Sequence, residues 1–466
     1  MATISSCDAQ PFPLLRFPSE VVHNVIDFVD DRQQVLALAL TCQSLKITLI
    51  PDHLDYRVLK VSFSNLDLLE RLIARPSLAR NVRSIAICHG PHCSSLMDDR
   101  HRCSHSAEGE AVAERALCSA FGLMGNLTRL EWWLLQPRYT KDLIWETIKE
   151  SCPRLRELVV RDFEHCQRSV SLSKLVELRN LEEVEMDLAF RPDMPSPVKC
   201  LRTLLAHCPT LHTLKLTFTA SQPHIQTLFN LEDIFLHASL PRLRSLQLHG
   251  VCSDPSIFKS FLGRHPTIEN LATISCADRE WGFEEGMFTI IDETTLPNLH
   301  TLLMIRIGAI PLLDPILMAA NWPRLHSIWL YGFSASSAIL ASFLIRHPAI
   351  EYVSFISNQS ADSSPLFTQL PIGSLPNLHK FESYHDEALA ICDSAPPIET
   401  LGVLNAERVQ FESRATVQAL QKVAPTLRTI YFEGLEDSSF DVAEMLRRKV
   451  PGVTAEWKRF RAPGTT

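Results

Sequence analysis

Two hydrophobic periods interleave along this chain. Apolar residues at helical spacing run into a polar or cationic turn and a proline, and an apolar segment spaced Leu-x-x-Leu-x-Leu follows. LLAHCPTLHTLKL (204–216), FLGRHPTIENLATI (261–274) and FLIRHPAIEYVSFI (343–356) share this order. Pro153, Pro209, Pro266, Pro348 and Pro425 each follow a helical run. Proline lacks an amide N–H and clashes with the preceding turn, so each marks a helix stop. The alternation after each proline predicts a short strand with successive side chains on opposite faces.

The strand signature recurs at Leu127/Leu130/Trp132, Leu155/Leu158/Val160, Leu181/Val184/Met186, Leu211/Leu214/Leu216 and Leu243/Leu246/Leu248. It continues at Ile268/Leu271, Leu299/Leu302/Met304, Leu325/Ile328/Leu330 and Ile350/Val353/Phe355, then Leu378/Phe381, Ile398/Leu401/Val403 and Leu427/Ile430/Phe432. Leu59/Val61/Phe63 and Val82/Ile85/Ile87 read as degenerate early members. Intervening helices such as Ser256–Arg264 and Ala335–Arg346 place Ile257, Phe261, Leu340 and Leu344 on one face. The mean step, about 27 residues, lies within the range of leucine-rich repeats, and the chain resembles that family over roughly four fifths of its length. The resemblance implies an α/β solenoid with parallel strands on its concave face and helices on its convex face. The Asn or Cys expected eight positions after the first Leu occurs only at Cys276 and Asn358; elsewhere stand Phe163, Thr219, Val251 or Phe333. The turns must therefore be satisfied by other groups, and the solenoid should be irregular. The alternative is an α/β domain with a non-repeating parallel sheet.

Ahead of the repeats, Pro18 and Ser19 introduce a helix carrying Val21, Val22, Val25, Ile26 and Phe28, with Ser19 as its expected cap. A second helix from about Arg32 to Leu40 and a third over Thr41–Leu49 follow, the latter ending before Pro51. Three helices in about 40 residues make a small core, which leans on a neighbour or leaves apolar surface for a partner. Phe17-Pro18-Ser19-Glu20-Val21, then Ile26, Phe28, Leu36, Leu40, Cys42 and Leu45, resemble an F-box, which opens Leu-Pro-x-Glu-hydrophobic. Phe17 replaces the leading Leu, and Asp52-His53-Leu54 stands where that family often has Leu-Trp. The resemblance implies a substrate-recognition subunit of a Skp–cullin–F-box ubiquitin ligase. The F-box would dock a Skp-type adaptor, and through it the cullin–RING machinery, while the repeats hold a protein substrate. Pro18, Val21, Val22, Ile26, Leu36 and Leu45 would lie at or just behind the adaptor surface. The expected organisation is a disordered start (1–13), an F-box (14–57), a solenoid (58–457) with a Cys/His-rich insertion near 88–110, and a tail (458–466).

Composition narrows the chemistry. Of 466 residues, 46% are hydrophobic and 21% charged, enough apolar material for a large core. Forty-five Lys and Arg against 53 Asp and Glu give −8, with no long basic run, so no nucleic-acid partner is expected. Only 15 glycines weigh against phosphate-wrapping loops. A basic n-region with an apolar h-region is absent from the start of the sequence, and the most apolar stretch, 302–320, is broken by Arg306, Pro311, Asp314 and Pro315; no membrane partner is expected. Thirteen cysteines, an odd count, suggest reduced thiols in the cytoplasm or nucleus, with Cys152, Cys208 and Cys392 as small buried hydrophobes. Nucleotide-binding, hydrolase and metalloprotease motifs are missing, so neither catalysis nor a cofactor is expected. Cys88, His89, His92, Cys93, His101, Cys103 and His105 are zinc-type ligands at non-standard spacings, flanked by Asp98, Asp99, Arg100 and Arg102. They read as a solvated insertion, with a structural metal as the alternative.

Strand positions between the leucines should face the concave side. Early strands place Glu131, Glu157, Glu183, Glu185 and Asp187 there; later ones place Leu303, Ile305, Trp329, Tyr331, Tyr352, Ile356, Tyr384 and Tyr431. Trp and Tyr dominate interface hot spots, so the later group is the expected substrate surface, for a partner with an apolar anchor and a basic flank. A covering tail or loop, or a one-residue slip placing the same side chains in the core, is the alternative. A protein-interaction scaffold without a ligase role is the second functional reading.

Overall fold

The structure, a computed structural model, describes residues 17–29, 31–54, 56–63, 65–88, 107–134, 143–162, 175–190, 198–220, 229–275, 296–306, 313–356, 365–404, 413–433, 444, 446 and 448–457. The N-terminal 1–13, the tail 458–466 and His89–His105 of the Cys/His insertion lie outside them. The chain divides into two compact units, Met1–Leu181 and Glu182–Thr466.

In the first unit, helices Ser19–Asp27, Arg32–Ala39 and Gln43–Leu49 close on a core of Val22, Ile26, Val35, Ala39, Leu45, Leu49 and Leu54. Pro18, not Ser19, takes the N-cap position of the first helix, and no side chain caps it. Asp31 caps the second by accepting from the Gln33 N–H at 2.8 Å. The third starts at Gln43 and ends at Leu49, and a π-helical turn, Ile50–Leu54, carries the chain on through Pro51. Arg57 is fully buried and donates through Nη2 to the Ile26 carbonyl at 3.3 Å, tying the helices to the strand that follows. Four parallel strands come next: β1 (Val58–Ser62), β2 (Ser84–Cys88), β3 (Arg129–Leu134) and β4 (Glu157–Asp162). The degenerate early members are therefore true strands, and the three helices share one compact unit with the first repeats.

The second unit is a parallel sheet of β5 (Glu183–Phe190), β6 (Thr213–Ala220), β8 (Ser245–His249), β10 (Asn270–Ser275), β11 (Thr301–Arg306), β12 (Ser327–Tyr331), β13 (Tyr352–Ile356), β14 (Lys380–Tyr384), β15 (Thr400–Leu404), β16 (Thr429–Glu433) and β17 (Thr454–Trp457). The two-residue strands β7 (Phe229–Asn230) and β9 (Val251–Cys252) pair separately. Register puts Leu214, Leu246, Leu271, Leu302, Ile328, Val353, Phe381, Leu401 and Ile430 in one row, all buried. That row is the leucine ladder.

Backbone groups and scattered asparagines satisfy the turns: Asn126, Asn298 and Asn377 donate to the Arg80, Pro266 and Pro348 carbonyls, while Cys276 and Asn358 lie outside the described residues. On entering β8, the Arg244 and Ser245 N–H groups share the His212 carbonyl; Glu269 and Asn270 share that of Arg244; His300 and Thr301 share that of Glu269. The same two-to-one pattern continues through Arg428 and Thr429 on Glu399. Helix exits use side chains. His265 Nδ1 contacts the Phe261 carbonyl at 2.6 Å, so it must carry the proton, and Nε2 accepts from the Leu240 N–H at 3.0 Å. His347 repeats this with Phe343 (2.7 Å) and Trp322 (2.8 Å).

This match extends over a whole block. Every partner in the second copy stands 82 positions after its counterpart (265 to 347, 240 to 322). Arg264 and Arg346 donate to the Leu236 and Met318 carbonyls, both at 3.1 Å; Glu232 and Asp314 accept from the Asp254 and Ser336 N–H groups at 3.1 and 2.8 Å. Gly250 and Gly332 have φ of +67° and +74°, and a Cβ on Gly332 would stand 2.0 Å from the Arg306 carbonyl oxygen. Residues 231–274 and 313–356 are thus two copies of one helix–strand–helix–strand block. The helix in the first copy runs Pro255–Arg264, capped by Asp254, and buries Phe258, Phe261 and Leu262, whereas Ile257 is only half-buried, as is its counterpart Ile339. Its counterpart, Ser337–Arg346, buries Leu340 and Leu344 as expected.

Candidate protein-binding face

The strand residues alternating with the leucine ladder form a second face of the sheet. Leu303, Trp329, Ser354, Glu382, Gly402 and Tyr431 stand in one row across β11–β16, and Ile305, Tyr331 and Ile356 in the next. Tyr352 pairs with Ser327 and Lys380, and Tyr384 with Leu404, at positions of the same parity. All eight residues expected at the binding surface therefore share this face. Leu302, Met304, Ile328, Leu330, Val353 and Phe355 occupy the alternate positions and are buried.

Burial differs from the expectation of a freely exposed row. Ile274, Leu303, Ile305 and Tyr331 are 6–8% exposed and form their own apolar cluster, with Ala272, Trp329 and Ile356 packed against it. Trp329, Tyr352, Ile356 and Tyr384 are half-buried, while Tyr431 is buried. Strands stand about 4.8 Å apart, so bulky side chains in adjoining rows cover one another's flanks. Trp329 meets Tyr352 edge to face at 4.6 Å between centroids, and the Tyr331 hydroxyl lies 3.0 Å from Ser354 Oγ.

Beside this floor lies a polar group that the leucine spacing does not reveal. The Lys380 ammonium is 2.7 Å from Glu382 Oε1 and 4.2 Å from the Tyr352 ring centroid. The Tyr431 hydroxyl donates to the same carboxylate from two strands away. Gly402 makes this possible: a Cβ there would lie 2.6 Å from Tyr431 Cζ and 2.8 Å from Glu382 Cγ. A glycine inside a strand is the sequence signal for such close approach. Burial, and next the Glu382 carboxylate, push the Tyr352 hydroxyl well above its ordinary pKa.

The early strands are not a bare acidic stretch. Arg129, on β3, donates to Glu131 at 2.5 Å and to Glu157 at 2.7 Å, while Trp133 lies between Lys60 (4.8 Å) and Arg161 (5.3 Å). Burial alone would raise the Glu131 carboxyl, but Arg129 outweighs it and holds it below the usual range. On β5 and β6, Glu183, Glu185, Asp187 and Lys215 share the outer parity, and the Lys215 ammonium is 3.4 Å from Glu185.

Among the residues expected at an adaptor surface, Val22, Ile26 and Leu45 lie in the three-helix core, whereas Pro18, Val21 and Leu36 are exposed. Val21, Val25 (44%) and Phe28 (76%) make one exposed stripe at i, i+4, i+7, and Leu36 (42%) and Leu40 (65%) another. The described cysteines are free thiols; Cys152, Cys208 and Cys392 are buried, and burial pushes Cys152 and Cys392 up to about 12. Among the described residues, no three His, Cys, Asp or Glu converge as a metal site, and no helix is long and apolar enough to cross a membrane.

Parallel strands joined by helices over a continuous leucine ladder define a leucine-rich-repeat fold. The chain is similar to a leucine-rich repeat-containing protein from Legionella pneumophila at 13% identity, over 73% of this chain and 85% of that one, with a TM-score of 0.29. It is similar also to a chain of the LRIM1/APL1C complex at 11% identity, over 73% of this chain and 65% of that one, with a TM-score of 0.28. No protein-family model matches the sequence, and no curated protein matches it.

Proposed function

We propose that this chain is a non-enzymatic, protein-binding scaffold that serves as the substrate-recognition subunit of a Skp–cullin–F-box ubiquitin ligase in the cytoplasm or nucleus. Its three N-terminal helices dock the Skp-type adaptor, which brings the cullin and RING subunits. The outer face of β11–β16 holds the protein substrate. The supporting observation is the pair of apolar stripes, Val21/Val25/Phe28 and Leu36/Leu40, exposed on helices whose opposite faces are fully used in a core. Contiguous apolar surface of this kind is costly in water unless a partner covers it. The resemblance of residues 17–45 to an F-box is what suggests a Skp-type adaptor as that partner.

The test is co-elution of the purified chain with a Skp-type adaptor on size exclusion, for the wild type and for Val21→Asp/Leu36→Asp. Both substitutions fall outside the three-helix core, so folding should persist by circular dichroism. A wild-type complex that the double variant abolishes supports the reading. Absence of a complex with folded wild-type protein removes the ligase role and leaves a repeat scaffold.

A further inference from the structure

The main-chain bonds at the strand entries also set side chains abreast along one rim of the sheet. His300 donates its N–H to the Glu269 carbonyl at 2.7 Å, His326 to that of His300 at 2.9 Å, and Glu351 to that of His326 at 2.8 Å. Two histidines thus stand on consecutive strand entries, with a glutamate on either side. Their rings meet edge to face, 5.4 Å between centroids, and both residues are half-buried. His326 Nδ1 lies 2.6 Å from the Arg324 carbonyl, which can only accept, so Nδ1 carries the proton and Nε2 the lone pair. A carbonyl that holds one ring N–H is the arrangement that orients a metal-ligating imidazole. The His300 ring nitrogens make no hydrogen bond among the described residues.

The internal duplication supplies a control. Where the second copy has the row His300, His326, Glu351, the first has His212, Arg244, Glu269, joined by the same main-chain bonds. Only the middle residue differs. Arg244 reaches Glu269 at 3.9 Å and brings a positive charge to the rim. An imidazole stands in its place at His326, and among the described residues no Lys or Arg pairs with Glu351. The rim of the second copy therefore keeps the carboxylate and loses the cation.

We infer that His300 and His326 bind a divalent transition-metal ion of the zinc type, bridging β11 and β12, with water completing its coordination. Imidazole suits zinc, copper and nickel alike. Zinc–nitrogen bonds of about 2.0–2.1 Å at a tetrahedral angle set the two nitrogens roughly 3.3 Å apart. Half-buried rings on neighbouring strands reach that separation by turning about their side-chain bonds. Glu351 stands one strand further, about 4.8 Å on, and offsets the charge of the ion without ligating it. The metal thus takes the part that Arg244 plays beside Glu269.

The test is carbethoxylation of histidines by diethylpyrocarbonate on the full chain at neutral pH, read residue by residue by peptide mass spectrometry. Titrated Zn2+ should protect His300 and His326 together, with one half-protection concentration. His326→Arg, which installs the residue of the first copy, should raise that concentration for His300 at least about tenfold. His300→Asn should do the same for His326, and Glu351→Gln should raise both about two- to fivefold. Circular dichroism checks that each variant is folded. Protection of one ring without the other, or none at millimolar Zn2+, would overturn the site. So would His300 protection that is undiminished in folded His326→Arg. An unchanged titration in Glu351→Gln would remove the role given to that carboxylate.

Discussion

The Arg-His-Pro sequences at 264–266 and 346–348 turn a histidine into a structural cap. Each ring donates from Nδ1 to its own helix and accepts at Nε2 from the neighbouring repeat, so only the neutral form makes both bonds. Burial, the largest cause, holds both rings below their ordinary pKa. A lowered pKa means that stability is fully present above the unfolded value of about 6.5 and is lost as pH falls through the folded one. The urea midpoint should therefore drop between pH 7.5 and 5, and His265→Ala/His347→Ala should flatten that drop. Each single change should cost about 1–3 kcal/mol at pH 7.5, since a buried N–H loses its acceptor. Glu387 works in the opposite direction. Burial pushes its carboxyl up to about 7, although it accepts from the Leu366 N–H at 2.7 Å. A raised pKa means that the contribution is present at low pH and fades as pH rises from about 4.5 through about 7. Glu387→Gln should thus gain about 1–3 kcal/mol over the wild type at pH 8 and little at pH 4, by thermal melts at both.

Strands and helices transmit these contacts because bulky and small residues alternate across rows as well as along them. Gly402 leaves the lane through which Tyr431 reaches Glu382 across β15. Gly402→Ala should displace that ring and cost about 1–3 kcal/mol. In a double-mutant cycle, adding Tyr431→Ala should relieve much of the penalty, because the overlapping ring is gone. The leucine period made the ladder and its register legible: Leu302, Ile328 and Val353 are where alternation places them. The prolines at 209, 266 and 348 likewise marked helix exits correctly. The block repeated at an offset of 82 residues was in the letters too, since both copies contain Pro-Arg-Leu before a strand and Phe-Leu-x-Arg-His-Pro at the end of a helix. A search at single-repeat spacing passes over it. What periodicity does not carry is lateral contact. Arg129 bridging Glu131 and Glu157, and Lys380 on Tyr352, depend on which residues stand abreast on neighbouring strands, and register across a sheet is set by the loops between them. An acidic row read along the sequence thus became, in β3 and β4, a neutralised one.

At the scale of the whole molecule, the two surfaces assigned to binding have separate foundations. The exposed stripes Val21/Val25/Phe28 and Leu36/Leu40 stand on the three-helix core of the unit Met1–Leu181. Trp329, Tyr331 and Tyr352 belong to the unit Glu182–Thr466, with an outer-face cluster of their own. Groups that stand on different described clusters perturb one another little, so their substitutions should add. Repeat arrays reinforce this, because each repeat draws stability from its immediate neighbours. Val21→Asp/Leu36→Asp should therefore abolish adaptor binding and leave the affinity for a peptide selected on the outer face of β11–β16 within about twofold. Trp329→Gln/Tyr331→His/Tyr352→Asn, in which each position receives the residue at the matching place in the first block, should do the reverse. Titrating both ligands onto wild type and both variants by calorimetry checks the full cross. Loss of both activities in either variant would mean that adaptor and peptide compete for one surface, and a receptor holding a substrate while docked to its adaptor would then be the wrong description.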